Sequence, residues 1–107
     1  MKSNNFKIKT AKILFDVKSI ILKPNNPFKL TSGRLSPVYV DCRKVISHIK
    51  ARRSLIKMGV ALIKKEIDIK KIDFVAGGET GGIPYAAWIS EKINKPMIYI
   101  RKKPKGF

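Results

Sequence analysis

Residues 77–82 have the composition of a loop that binds an anion. Four of the six residues in Gly77-Gly78-Glu79-Thr80-Gly81-Gly82 are glycines, between a predicted strand and a predicted helix. Glycine lets backbone N–H groups approach a ligand closely, and the free N–H groups of a helix N-terminus favour negative charge at the same place. The spacing fits neither the P-loop nor the dinucleotide-binding fingerprint. The loop therefore predicts a phosphate site of another kind, with a tight turn that binds nothing as the alternative.

A cationic segment follows the last predicted strand. It reads Arg101-Lys102-Lys103-Pro104-Lys105-Gly106-Phe107, with four cations in seven residues. Because ligands of parallel α/β sheets bind beyond the carboxyl ends of the strands, we expect this segment and the glycine-rich loop at one edge. A backbone cradle beside a mobile cationic loop suits a substrate with several phosphates. A frayed basic terminus is the alternative.

The remaining polar residues indicate no nucleophile and no general base. Glu79 is unusual in its loop because a carboxylate repels phosphate; either it turns away and fixes the loop by hydrogen bonding, which we favour, or it helps to hold a cation. His48, the only histidine, is expected at a surface or capping position, and Cys42 is expected to be a buried structural thiol. One cysteine and one histidine give no metal-ligand set.

The pattern of apolar residues predicts an α/β fold. Spacings of three and four predict helices over residues 5–19, 50–67 and 82–94. Residues 28–30 and 37–41 alternate in polarity and are predicted to pair as a hairpin. Residues 72–76 and 97–100 have the composition of buried strands. Because strands and helices alternate in the second half, we expect a parallel sheet covered on both faces.

Composition narrows the class of protein. The chain has 107 residues, 44% of them apolar, and its longest apolar run, residues 58–63, is far shorter than the ~20 residues of a membrane-spanning helix. Residues 1–14 show no secretory signal, so a cytoplasmic location is expected. The net charge of +17 suggests nucleic acid as a partner. Against this, the cations are 19 lysines and only 5 arginines, spread along the chain, so compositional drift explains the charge equally well.

Three segments resemble the orotate phosphoribosyltransferase family, in the family's order and spacing. Residues 28–43, FKLTSGRLSPVYVDCR, are similar to its SGR-x-SP segment. Residues 74–88, FVAGGETGGIPYAAW, are similar to its pyrophosphate loop and the following helix, and residues 97–107 to the start of its catalytic flexible loop. The resemblance implies a type I phosphoribosyltransferase fold, in which a parallel sheet has flanking helices and a small N-terminal hood hairpin.

The resemblance also implies an activity. The family's enzymes are pentosyltransferases of pyrimidine biosynthesis, which transfer phosphoribosyl from phosphoribosyl pyrophosphate to orotate and release orotidine monophosphate and pyrophosphate. It implies Mg²⁺ carried on the pyrophosphate and a cytoplasmic homodimer with no nucleic-acid or membrane partner. The alternatives are a phosphoribosyltransferase for another base and a small basic nucleic-acid-binding protein.

Site residues follow from the same resemblance, position by position. Arg101, Lys102 and Lys105 match the cations that bind phosphoribosyl pyrophosphate; Arg101 and Lys105 are expected to be catalytic, and some of the three to reach the partner subunit's site. Thr80 and Gly81 occupy pyrophosphate-loop positions. Tyr39 and Val40 occupy the pair that contacts orotate. No residue is expected to ligate a metal directly.

The sequence departs from the family in two ways. Many members have lysine at the positions of Thr31 and Gly81, and histidine at that of Phe107, so the substrate contacts there are expected to differ. The family's second half, with an acidic pair before a Thr/Gly-rich loop, has no counterpart here. Residues 1–107 are therefore expected to be the N-terminal part of one domain, with a helix and hood hairpin over 1–45 and the start of the core over 46–107. We expect this piece to be inactive and marginally folded by itself.

Overall fold

The structure, a computed structural model, describes residues 2–106, with side chains from Asn5 onward. It divides into two compact units, the first ending at Arg52 and the second beginning at Arg53. In chain order the elements are α1 (Lys2–Asp16), β1 (Ile20–Leu22), β2 (Phe28–Lys29), β3 (Leu35–Ser36), β4 (Val38–Val40), a 3₁₀ helix (Cys42–Ser47), α2 (Ile49–Glu66), a second 3₁₀ helix (Ile69–Lys71), β5 (Val75–Gly78), α3 (Gly82–Ile93) and β6 (Met97–Ile100). The α/β class is confirmed.

Helix α1 ends earlier than the apolar spacing predicts. Lys18 has φ of 59°, in the left-handed region. The amide of Ser19 then donates to the carbonyl of Leu14 at 2.8 Å. A residue in this conformation closes a helix by redirecting the chain, as glycine commonly does. The helix predicted to reach residue 19 therefore ends at Asp16, and β1 begins four residues later.

The predicted hairpin is only partly right. Strand β2 pairs with β3, Phe28 opposite Ser36, in an antiparallel ribbon. Strand β4 pairs instead with β1, Tyr39 opposite Ile21. Pro37 lies between β3 and β4, where it lacks an amide to donate, although its carbonyl accepts from Lys23. Residues 37–41 thus leave the hairpin and join a separate ribbon.

The second unit is built around α2 and α3, and both helices lie within a residue of their predicted bounds. Ile56 and Val60 from α2 and Ile93 from α3 form its buried cluster. Half-buried side chains pack around these three: Ile69, Ile72, Val75, Tyr85, Trp88 and Ile89. Strands β5 and β6 are parallel, as predicted. The buried face of α3 follows Ala86, Ser90 and Ile93 at intervals of four and three, which leaves Ala87 exposed.

Strand β5 occupies Val75–Gly78 instead of the predicted 72–76. The second 3₁₀ helix delays its start: the Asp68 carboxylate accepts from the amide of Lys70 at 3.1 Å, and Ile72 ends that turn. The strand also continues through the two glycines that were predicted to stop it. Gly77 is buried against α3, where a Cβ would lie 2.8 Å from both the Cβ of Ala86 and the carbonyl oxygen of Gly82.

Strand β6 keeps apolar side chains in contact with solvent. Ile98 is 49% exposed and Ile100 is 60% exposed. Within residues 2–106, β6 pairs with β5 alone. No helix in this part of the chain has the length and apolar character needed to cross a bilayer.

Candidate functional site

The carboxyl ends of β5 and β6 lie side by side. In the parallel register Gly78 is opposite Ile100, the last residue of each strand. The next amide, that of Glu79, donates to the carbonyl of Ile100 at 2.9 Å. The glycine-rich loop and the cationic segment therefore leave the sheet from one edge, as predicted from strand direction.

The loop between β5 and α3 presents backbone N–H groups at the start of a helix. Gly81 is the N-cap of α3, with φ −67° and ψ −24°, and no side chain caps it. The amide of Ile83 donates to the carbonyl of Thr80 at 3.3 Å, and the Glu79–Thr80 peptide bond is cis. Thr80 is exposed and Gly81 half-buried. An uncapped helix start beside an exposed hydroxyl can take an anion.

Glu79 has the first of the two roles left open by the sequence. Its carboxylate Oε1 accepts a hydrogen bond from the amide of Lys102 at 3.1 Å. Among the described residues, no three His, Cys, Asp or Glu side chains cluster in a way that could hold a metal ion.

The described part of the cationic segment, residues 101–106, faces solvent. Arg101, Lys102 and Lys105 are all exposed. The Nε of Arg101 donates to the carbonyl of Lys103 at a long 3.4 Å. The structure thus brings Arg101 and Lys102 next to the glycine-rich loop through the backbone, with Lys105 three residues further on. Phe107, singled out as a departure from the family, lies outside the described residues.

Tyr39 and Val40 lie in the first unit, on β4. The Tyr39 ring contacts that of Phe28, with centroids 5.5 Å apart and planes at 42°. The Nζ of Lys23 lies over the Phe28 ring, 4.9 Å from its centroid. Neighbouring residues of a strand point to opposite faces, so a planar ligand on Tyr39 would meet Val40 through its backbone.

An ion pair secures the end of β4. The Asp41 carboxylate Oδ1 accepts from the amide of Arg43 at 3.1 Å and from its Nε at 3.0 Å. The hydrogen bond from the Arg43 side chain holds the pKa of Asp41 below its ordinary value of 3.8. The same bond and the negative charge of Asp41 raise the pKa of Arg43.

We expect this ion pair to give the first unit a small pH dependence. The lowered folded-state pKa of Asp41 means that its contribution is present above pH ~4 and is lost as pH falls through the folded pKa. Asp41→Asn should therefore lower the midpoint of thermal unfolding at pH 7 by only about 1–3 °C, because the Arg43 side chain is 64% exposed and water screens its ion pair with Asp41. Thermal scans of both proteins at pH 7 and at pH 2–3 measure the difference. A gap that persists undiminished at the lower pH would contradict the assignment.

Two further residues test the sequence predictions. His48 is exposed and caps the first 3₁₀ helix through its backbone, as expected. Cys42 was predicted to be buried, and this is wrong: it is exposed, because it starts that 3₁₀ helix and the helix buries Val45 instead.

The contacts around Tyr39 were not predicted. The sequence places Phe28 and Tyr39 eleven residues apart in what was taken to be one hairpin. Their contact depends on how the β2–β3 ribbon lies against the β1–β4 ribbon. The alternation of apolar residues gives no signal for that arrangement.

Comparisons with known proteins agree on one family of relatives. A scan against protein-family models finds no match for this chain. An orotate phosphoribosyltransferase of Rhizobium rhizogenes is 47% identical over 96 residues, which are 90% of this chain and 41% of that protein. The crystal structure of orotate phosphoribosyltransferase from Aeropyrum pernix is similar with a TM-score of 0.73 and 30% identity, over 90% of this chain and 51% of the other. The structure of Leishmania donovani UMP synthase matches with a TM-score of 0.74 and 31% identity, over 91% of this chain and 20% of the other.

The chain matches only part of the length of each relative. The chain spans 41–48% of the length of the curated relatives named here as orotate phosphoribosyltransferases. The matched part nevertheless covers almost all of this chain, in sequence and in fold. Over most of its length, then, this chain is homologous to about half of an orotate phosphoribosyltransferase, a pentosyltransferase.

Proposed function

We propose that the intact natural protein is an orotate phosphoribosyltransferase, to which this chain contributes the pyrophosphate loop and the root of the cationic loop. The observation that carries the proposal is the shared edge of β5 and β6, where the uncapped start of α3 and the segment from Arg101 to Lys105 leave the sheet together. Relatives of that name at 41–47% identity support the choice of reaction.

The proposed reaction suits a site with cations but no nucleophile. A ring nitrogen of orotate loses its proton, to water or to the departing pyrophosphate, and forms a bond to the anomeric carbon. The bond from that carbon to pyrophosphate breaks, and its electron pair leaves with the pyrophosphate. Stabilising the departing negative charge is the main demand on the protein. The amides of the glycine-rich loop and the side chains of Arg101, Lys102 and Lys105 supply fixed dipoles and charge for that purpose. Thr80 and Gly81 line the pyrophosphate position.

The proposal also includes the role of Mg²⁺, the oligomeric state and the cellular location. Mg²⁺ enters as part of the substrate, on the pyrophosphate oxygens. We place the enzyme in the cytoplasm as a homodimer in which the exposed cationic segment of one subunit reaches the partner's site. Light scattering on the purified protein tests whether it is a dimer. Mixing two variants, each inactive through a different substitution, tests the shared site, because activity should be recovered if one subunit completes the partner's site.

The direct test of the function is turnover by the intact natural protein. Orotate and phosphoribosyl pyrophosphate with Mg²⁺ should give orotidine monophosphate and pyrophosphate, resolved by chromatography. Competition among bases separates the neighbouring possibility, a phosphoribosyltransferase for another base. If another base becomes ribosylated and orotate does not, orotate is the wrong substrate.

Tyr39 provides a residue-level test of the orotate site. Tyr39→Ala should raise KM for orotate by about 5–50-fold, because stacking of a base on an aromatic ring contributes about 1–3 kcal/mol. KM for phosphoribosyl pyrophosphate should stay within about twofold. Tyr39→Phe, which keeps the ring, should stay near wild type, and Leu35→Ala, which removes another exposed side chain of the first unit, serves as the control. Steady-state kinetics with each substrate varied measure the effects, and an unchanged KM for orotate in Tyr39→Ala would remove Tyr39 from the site.

The net charge of +17 gives the second candidate function, binding of nucleic acid. It predicts measurable affinity at low salt that falls steeply as salt rises. Fluorescence anisotropy with a labelled duplex and a labelled single strand, at 50 and 200 mM salt, tests it. Affinity that is strong at 50 mM salt, falls steeply by 200 mM and depends on sequence would favour this candidate, whereas weak binding without sequence dependence would exclude it.

A further inference from the structure

Glu79 is hydrogen-bonded on both sides of Arg101. Its amide donates to the carbonyl of Ile100 at 2.9 Å, and its carboxylate accepts from the amide of Lys102 at 3.1 Å. The first bond continues the β5–β6 pairing one step beyond Gly78 and Ile100. The second replaces the next backbone rung with a side chain. The backbone that carries Arg101 is thus fixed against the glycine-rich loop at two points.

The second bond, unlike the first, is made by the side chain of Glu79 and therefore depends on the residue at this position. It joins an ionised carboxylate to a backbone amide, and such charge-assisted bonds are stronger than neutral ones. The Nε of Arg101 also donates to the carbonyl of Lys103 at 3.4 Å, and residues 101–106 are exposed. The bond from Glu79 therefore holds the start of the segment, Arg101 and Lys102, which we call its root, next to the glycine-rich loop.

The negative charge of Glu79 lies between a loop proposed to bind an anion and a segment rich in cations. Four cations lie between Arg101 and Lys105, and Glu79 is the only carboxylate in residues 77–82. A carboxylate directed at the pyrophosphate would repel it, whereas one turned to the Lys102 amide is held on the β6 side of the loop. A side chain that orders a mobile cationic segment before the substrate arrives lowers the entropic cost of binding.

We propose that Glu79 is a positioning residue, a latch that orders the root of the cationic segment so that Arg101 and Lys102 meet the pyrophosphate of the substrate beside the glycine-rich loop. The inference rests on the proposed function for its substrate, but the latch itself is a property of the chain. It acts through the backbone of Lys102 and touches no reacting atom.

Three variants of the intact natural protein test the latch. Glu79→Ala removes the acceptor, Glu79→Gln keeps an acceptor oxygen without the charge, and Glu91→Ala removes an exposed carboxylate from α3 as the control. Amide exchange of Lys102, followed by NMR without substrate, should be about tenfold faster in Glu79→Ala, while the amide of Ile98 stays unchanged. Glu79→Gln should retain most of the protection, and Glu91→Ala all of it.

Kinetics then separate positioning from a general structural role. Glu79→Ala should raise KM for phosphoribosyl pyrophosphate about 5–10-fold with kcat within about threefold, and Glu79→Gln should restore most of the loss. Unchanged exchange at Lys102 in Glu79→Ala, or a Gln variant as impaired as the Ala variant, overturns the proposal. If the wild-type protein does not ribosylate orotate, the proposed function is wrong. The exchange of the Lys102 amide still shows whether Glu79 orders the root of the cationic segment.

Discussion

Replacing Gly77 with alanine is expected to destabilise the second unit by about 1–3 kcal/mol, the usual cost of forcing extra volume into a packed site. The added Cβ would lie 2.8 Å from the Ala86 Cβ, 2.8 Å from the Gly82 carbonyl oxygen and 3.1 Å from the Ile83 Cα. Two of these three atoms belong to the backbone of α3, so no side-chain rotation can relieve the contact. Strand β5 and α3 must separate, and because α3 starts at the glycine-rich loop, the loop moves with it.

Gly78→Ala is the matched control for this prediction. The neighbouring glycine is in the same strand, yet a Cβ built there meets nothing within 4 Å. Alanine at position 78 should leave stability unchanged or raise it slightly, because alanine reduces the entropy of the unfolded chain. Urea unfolding of the two variants and the wild type measures the difference. Equal midpoints for Gly77→Ala and Gly78→Ala would show that β5 and α3 do not pack as closely as the structure has them.

Replacing Lys105 with alanine is expected to lower kcat of the intact natural protein by about 10²–10³, the usual effect of removing one group that stabilises developing negative charge. In the proposed reaction that charge develops on the departing pyrophosphate, and the resemblance places Lys105 among the cations that meet it. Because the interaction strengthens as the bond breaks, kcat should fall further than KM for phosphoribosyl pyrophosphate rises.

Lys103→Ala provides the control within the same segment. Lys103 is an exposed lysine two residues before Lys105, so its removal changes the net charge by the same amount without removing a residue matched to the family's cations. We expect kcat of Lys103→Ala within about threefold of wild type. Single-turnover measurements on both variants separate the chemical step from product release. Similar losses in both would mean that the segment contributes only general positive charge, and Lys105 would lose its assigned role.

In the second unit, the sequence alone established α2, α3 and β6 and the edge at which the two parallel strands end. Apolar spacing located α2 and α3 to within a residue, and glycines between a strand and a helix marked the loop. Both signals are local, because helix periodicity and backbone freedom depend on neighbouring residues. The shared edge followed from a general rule, since parallel strands joined by a crossover helix must end on the same side.

Apolar spacing and glycine content did not predict which strands pair when they lie far apart along the chain. Strand β4 alternates as a hairpin strand does, yet it pairs with Ile20–Leu22, because pairing depends on which partner buries more and satisfies more backbone groups. The contact of Tyr39 with Phe28 depends on that choice. Cys42 was assigned to the interior from residue type, and the turn after β4 placed it at the surface.

Glu79 shows most clearly which properties followed from the sequence and which depended on the tertiary structure. From its sequence position we favoured a carboxylate that turns away from the anion, because like charges repel, over one that helps to hold a cation. Only the tertiary structure decided where it turns: the parallel register that sets Gly78 opposite Ile100 also brings the amide of Lys102 within 3.1 Å of the carboxylate. Residue chemistry determined what the loop could bind, and the alignment of two strands 22 residues apart along the chain determined what holds the cationic segment beside it.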